Sequence, residues 1–494
     1  MASRTGLFDF RLRTAGVDAG AGVRPRTEIR SNWGCSVGES GEKYLKREVG
    51  FLGLLAACVG LNIGGALFAL TTVAAGLCGP SLPLAMLVSA LPMLLVVFPY
   101  VTLTSALPTT SASYRYAQLF DPRLALVSML TLLLCILLGG QPLFAFAFGK
   151  YLAMLAPVDP IWAGVAVLVF FYVVNLVGVR TAAWVQTALF FLLLSALVLF
   201  IVGGIPWVRA EHFSDFLPKG VGGLLAASGL LFTFSAGGIF VVDLGGEVLE
   251  ARKAFSRALP FGIGIVVVLY VLIGVITVGI CDWRTLEGRS LLDVARRFLA
   301  GPVFAYFVVA GALVACATTI NVIFAIISRG LLVVAEDGFL PSWLGRVNQR
   351  FGTPHWGLTV SWLVCTAALL ANPSLLFFGS MLNLGLIFAI TAVNMAGLVL
   401  PARYPELYER SLKPLSPGVL RAVCVAVVVL NSMIFIFFLA AVGWAAAVFL
   451  LIVAACSLFA RSRRSLLARR KGDLAQPLSA NAVILSWLGH RGEP

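Results

Sequence analysis

Long apolar runs follow one another along the chain from Glu48 onward, each bounded by charges, proline or glycine. They fall at 49–76, 82–106, 123–152, 159–178, 181–204, 221–246, 258–281, 302–330, 356–371, 374–400, 418–440 and 443–460. A helix needs about 20 mostly apolar residues to cross a bilayer. The runs lack the two-residue alternation of membrane-barrel strands. The pattern therefore predicts an all-α integral membrane protein with about twelve transmembrane helices.

Composition agrees. Of 494 residues, 60% are hydrophobic and 12% charged, and mean hydropathy is +0.98. Soluble domains carry about 25% charged residues, so a soluble enzyme is excluded. The net charge of +14 would suggest nucleic acid in a soluble chain, but its distribution here says otherwise. With the N-terminus inside, 29 of the 36 Lys and Arg residues lie on the inner face and 7 in outer loops. That asymmetry is the positive-inside signal. It predicts a multi-pass protein of the plasma or inner membrane with both termini cytoplasmic, bilayer contact, and no nucleic-acid partner. Residues 1–48 carry no h-region and read as a disordered cytoplasmic tail, 49–460 as the twelve-helix membrane domain, and 461–494 as a basic tail. The largest outer loop is Cys281–Gly301, whose Leu291–Leu299 stretch reads as a surface helix.

Chemistry-bearing clusters are scarce. The nine cysteines are scattered without a CxxC pair, and the three histidines are far apart. These features predict neither disulfides nor a metal site nor a cofactor. No G-x-x-x-x-G-K-[ST] occurs, so ATP-driven transport within the chain is unsupported. Nor is there a paired-carboxylate or nucleophile–base pattern, so the chain reads as a non-enzyme.

Two spans stand out. The first contains Gly60-Leu-Asn-Ile63-Gly64-Gly65-Ala66-Leu67-Phe68. The sixth contains Phe234-Ser235-Ala236-Gly237-Gly238, followed by Asp243 and Glu247. Mid-span glycine clusters favour close packing or a helix break. A break frees backbone groups, which lipid tolerates only around a cavity. Freed N–H groups suit a carboxylate and freed C=O groups an ammonium. Spans 1–5 (49–204) and 6–10 (221–401) form two five-helix halves, with spans 11–12 (418–460) appended. Five is odd, so any repeat is inverted.

At these positions the chain resembles the amino acid permeases of the amino acid–polyamine–organocation superfamily. Their first-helix pattern G-x-x-I-G-S-G-I-F matches Gly60–Phe68. P-x-A-G-G-x-Y-x-Y resembles Pro108–Tyr116, with Ser111-Ala112 for the Gly-Gly pair, and R-K-x-F-P-R-A-L resembles Arg252–Leu259, with Ser256 for the proline. Ser328-Arg329 with Asp337-Gly338 and Pro341, then Arg403 to Leu407, match further patterns in order. The resemblance implies a leucine-transporter-like 5+5 inverted repeat with broken helices 1 and 6. It implies substrate contacts at Ile63, Gly64, Gly65, Ala66 and Leu67 and at Phe234, Ser235, Ala236, Gly237 and Gly238, with Phe234 closing over the substrate. Pocket side chains would come from helices 1, 3, 6, 8 and 10.

Many members place a lysine seven residues after a Val-Gln pair in helix 5. Here Val185-Gln186 is followed at that spacing by Leu193. The expected function is thus alternating-access transport of an amino acid or related amine, as exchanger or facilitator rather than lysine-mediated proton symporter. Sodium stays open through the Thr318 and Thr319 hydroxyls. Alternatives are a polyamine or organic-cation transporter and a non-transporting receptor of the same fold. Asp243 is a further candidate contact, able to favour a second positive charge. Glu247 is expected to pair with Arg252 or Lys253, and Asn62, Asn321, Asn383 and Asn394 to bond between helices.

Overall fold

Within lipid every backbone N–H and C=O needs a partner in the chain, and the helices supply them. The computed structural model describes residues 45–468 apart from 287–288, 372–374, 413–414 and 464, and excludes the side chains of Ala69, Thr233, Phe234, Ser235 and Ala441. Most of both predicted tails lies outside the described residues.

The first span is α1 (Phe51–Asn62) and α2 (Ala66–Cys78), followed by α3 (Leu82–Ala106) and a short α4 (Ala112–Phe120). The third is α5 (Pro122–Cys135), a π turn at Ile136–Gly140 and α6 (Gln141–Leu152). Next come α7 (Pro160–Val177) and α8 (Val179–Gly204). The second half opens with α9 (Gly220–Ala236), continued as a 3-10 run over Gly237–Asp243, then α10 (Ala251–Ile280) and α11 (Leu291–Ala295). Its third span is α12 (Gly301–Tyr306), a π turn at Phe307–Leu313 and α13 (Val314–Glu336). The remaining helices are α14 (His355–Ala371), α15 (Leu375–Arg403), α16 (Pro405–Glu409), α17 (Pro417–Ala441) and α18 (Trp444–Ser462).

Among the described residues eleven helical stretches are long and apolar enough to cross a membrane, and α14 is a shorter apolar helix at the expected ninth span. Each half has a broken first helix and a π turn in its third. That correspondence fits a 5+5 repeat.

Local chemistry sets the boundaries. Asp121 accepts from the N–H groups of Arg123 and Leu124 at 2.9 and 3.1 Å, with Pro122 opening α5. Asp159 caps α7 in the same way, ahead of Pro160. Such caps satisfy orphan donors that lipid would leave unpaired. The most apolar 18 residues within Gly301–Glu336 are 94% buried, whereas those within Pro417–Ala440 are 17% buried and peripheral. Trp184, Phe437 and Leu451 are mostly exposed on the outside, as a lipid-facing surface requires.

The sixth span is broken where the resemblance implied a break, its α-helix ending at Ala236. Two expectations change. The seventh begins at Ala251 rather than 258, the basic Arg252-Lys253 turn being part of α10. The Leu291–Leu299 stretch is helical only to Ala295, and Leu291, Leu292, Val294 and Ala295 are buried, not surface-lying. A Thr72 hydroxyl donating to the Arg289 carbonyl at 2.6 Å ties this loop to α2.

Candidate substrate site

Helix 1 stops at Asn62 because the Ile63-Gly64-Gly65 segment packs where only small residues fit. A Cβ on Gly64 would lie 2.7 Å from the Phe144 ring, and one on Gly65 would lie 2.4 Å from the Cys316 sulfur. The Ile63 N–H still reaches Val59 O, and the Gly64 N–H bonds Asn62 O. Leu67 and Phe68 donate to Gly64 and Gly65 carbonyls. The Ala66 N–H, at the start of α2, makes no backbone bond. A helix N-terminus with a free N–H favours an anion.

The second break touches the first. A Cβ on Gly237 would lie 2.5 Å from Leu61 O, and one on Gly238 would lie 2.6 Å from Cys58 O. Glycine is therefore required for backbone-to-backbone contact. The Gly238 N–H donates to Asn62 Oδ1 at 2.7 Å, so the two breaks share a side-chain clasp. Tyr270 adds its hydroxyl to Asn62 O at 2.8 Å.

Between the breaks lies a cavity of about 50 Å³. One water needs roughly 10–15 Å³, so it has room for a few. Helix 1 contributes Leu61, Asn62, Gly64 and Ala66, and the helix 6 region Gly237 and Phe240. The third span adds Ile136, Leu143 and Phe144, α13 adds Thr319, Ile323 and Ile326, and α15 adds Leu382 and Leu386. These are the five helices the resemblance implies. Among the described residues the lining holds no ionisable side chain, and its polar side chains are Asn62 and Thr319.

The amino acid permease family profile matches residues 49–471. The chain belongs to that family. Curated relatives include a methylthioribose transporter of Bacillus subtilis, 24% identical over 77% of this chain and 87% of its own length. A branched-chain amino acid permease of the same organism is 24% identical over 78% and 88%. The mitochondrial cationic amino acid transporter 3 of Arabidopsis thaliana is 27% identical over 72% and 63%. Among solved structures, an Eremococcus coleocola manganese transporter superposes with a TM-score of 0.56 at 13% identity, covering 87% of this chain and 95% of that one. At that identity it speaks for the fold alone.

The structure sorts the permease's expected site residues. Gly64, Ala66 and Gly237 line the cavity. Ile63, Gly65, Leu67, Ala236 and Gly238 belong to the same two turns, with Ile63, Leu67 and Ala236 buried in packing. The Phe234 and Ser235 side chains lie outside the described residues. Asp243 is fully buried, but its carboxylate is engaged elsewhere. Oδ1 accepts the Ser113 N–H at 2.6 Å and Oδ2 the Ser113 hydroxyl at 3.2 Å, so it caps α4. Phe144, Phe240, Ile323 and Leu386 were not legible as site residues, since nothing separates them from other apolar positions.

The positions at which the resemblance places ion coupling carry neutral groups. Thr318 and Thr319 donate to Gly60 O at 3.3 and 2.9 Å and to Ala315 O. Leu193 is buried. The polar link from α8 to α1 is Gln186, whose Nε2 donates to Ala56 O at 3.2 Å. Asn321 holds it in place by donating to Gln186 Oε1 at 3.0 Å, and Asn175 Nδ2 in turn donates to Asn321 Oδ1 at 2.9 Å. Asn321 is thus the interhelical bond expected of it. Asn394 bonds within its own helix, to Ile390 O at 2.8 Å.

Below the cavity, Glu247 corrects its expectation. Its partner is Arg329, at 2.8 Å with both side chains buried. Lys253 instead meets exposed Glu250 at 3.4 Å, and Arg252 Nε donates to Ser105 O. The chain after Leu244 turns back beneath α1 instead of continuing along the surface. Glu48 and Val49 N–H groups both reach Glu247 O at 3.0 Å, and Leu249 N–H reaches Val49 O at 2.8 Å. Beside this clasp, Asp337 receives Arg115 at 2.9 Å and the Tyr114 hydroxyl and Gln118 amide at 3.0 Å. On the other side of the break, Tyr151 donates to Gly65 O at 3.0 Å, and its ring sits 6.1 Å from that of Phe68.

Proposed function

We propose that this permease carries a neutral amino acid with an apolar side chain across the membrane by alternating access, as an exchanger or facilitator. The observation that carries the reading is a cavity opened by two helix breaks and lined, among the described residues, without any charged side chain. The substrate's own charges are met by backbone. The Ala66 N–H at the N-terminus of α2 suits the carboxylate, and the C-terminal end of α9 around Phe234–Gly238 suits the ammonium. The apolar walls take the side chain.

A cationic substrate would need a carboxylate in the lining, because a second buried charge is costly unless paired. Asp243 does not supply one. The names of the relatives span methylthioribose, branched-chain and cationic substrates, so the choice rests on the lining. Exchange or facilitation is supported by the neutral Gln186, Thr318 and Thr319 contacts on α1 and by Leu193 in helix 5. The charge asymmetry supports cytoplasmic termini, which labelling of cysteines introduced at 282–300 from outside intact cells tests.

The decisive experiment is leucine flux into proteoliposomes. Flux should rise with internal leucine, ignore pH and sodium gradients, and resist competition by lysine or putrescine. Competition by lysine or putrescine would refute the substrate class, and strong proton-driven accumulation the coupling. Leucine binding without any flux would favour a receptor.

A further inference from the structure

Among the described residues of the lining, Asn62 is the one whose polar side chain is only half used. It is 3% exposed. Its Oδ1 accepts the Gly238 N–H at 2.7 Å. A backbone N–H can only donate, so the facing atom must be oxygen and the amide orientation is fixed. That leaves Nδ2, which is buried and has no hydrogen-bond partner. An orphaned buried donor is costly, and native structures retain few of them without a reason. Here the residue lines the cavity between the two breaks, and Ala66, another lining residue, has an N–H without a backbone bond. Thr319, the other polar side chain there, already spends its hydroxyl on Gly60 and Ala315 carbonyls.

From this arrangement we infer that Asn62 is a substrate-binding residue, its Nδ2 donating to the carboxylate of the amino acid. The inference rests on the reading of the cavity as an amino acid site. An Nδ2–H2 group is a pure donor, so it selects for an acceptor and against an ammonium. It therefore discriminates the carboxylate end of the zwitterion from the amine end. The same amide is bonded to the helix 6 break, so a carboxylate held by Nδ2 is coupled through one side chain to Gly238. Occupancy of the site is thereby communicated from helix 1 to helix 6 without an ion.

The test compares L-leucine with isoamylamine, which has the same side chain and amine but no carboxylate. Wild-type, Asn62→Ala and Asn62→Asp proteins are assayed for binding and uptake at pH 8. Asn62→Asp keeps an acceptor for the Gly238 N–H and replaces the donor with a negative charge. Wild type should prefer leucine. A hydrogen bond to a charged group is strong enough that both variants should lower the leucine-to-isoamylamine ratio about tenfold or more, Asn62→Asp the further. The ratio is measured within one protein, so loss of folded material cancels. A ratio unchanged in both variants, whatever happens to total uptake, overturns the inference and leaves Asn62 a packing clasp. Wild type that binds no leucine overturns the amino acid reading itself, and the inference with it.

Discussion

The buried pair between Glu247 and Arg329 joins the segment after helix 6 to the end of α13, and its removal has a calculable cost. Arg329 Nη2 lies 2.8 Å from Oε1, and its Nε lies 3.2 Å from each carboxylate oxygen. The side chains are 1% and 0% exposed. Glu247→Gln keeps the shape and strands a guanidinium away from water. Breaking one side of such a pair costs about 3–5 kcal/mol. Replacing both partners by neutral groups of similar volume is far cheaper, because no charge remains to be desolvated. The assay is a double-mutant cycle of Glu247→Gln and Arg329→Met, read by denaturant titration in mixed micelles. Each single variant should lose about 3 kcal/mol or more, and the double variant much less than their sum. The clasp lies on one side of the cavity, so the loss should fall on the state in which that side is closed. A shift of 3 kcal/mol is a factor of more than about a hundred in the balance between closed and open states. Leucine exchange should fall in the single variants and recover in part in the double. Additive losses, or single variants within 1 kcal/mol of wild type, would show that water reaches Arg329 and that the pair is not a closed-state latch.

Gly64→Leu and Gly65→Leu should abolish leucine uptake while leaving membrane insertion intact, because their Cβ atoms alone would stand 2.7 and 2.4 Å from Phe144 and Cys316. Normal uptake by both would move the site elsewhere. Gln186→Lys should make leucine flux respond to a pH gradient, since it puts a titratable ammonium against the carbonyls of α1. A flux as indifferent to pH as that of wild type, from folded protein, counts against the neutral amide as the ion-free link. Asp243→Asn should leave the ranking of leucine over lysine unchanged and cost about 1 kcal/mol in stability through the α4 cap. A changed ranking, measured by competition in proteoliposomes, would return Asp243 to the substrate path.

The span order, the helical class and the two break positions were legible in the sequence, and the reason is the solvent. A bilayer obliges each span to satisfy its own backbone, so a span announces itself as a continuous apolar run. The glycines at 64–65 and 237–238 break those runs and mark where the backbone comes into contact. The motifs from Gly60 to Leu407 then identified the family without any geometry. Tertiary structure decided the rest. An apolar residue facing the cavity and one facing lipid have the same chemistry, so Phe144 and Ile323 could not be told from Phe437 and Leu451 until the helices were packed. The polar pairings join residues far apart in the chain: Asp243 with Ser113 across 130 positions, Glu247 with Arg329 across 82, and Gly238 with Asn62 across 176. Local reading offered Glu247 the charges nearest in sequence. In a low-dielectric interior the partner is instead the one that burial brings within hydrogen-bond reach, because an unpaired charge there costs more than any strand of chain needed to deliver its mate.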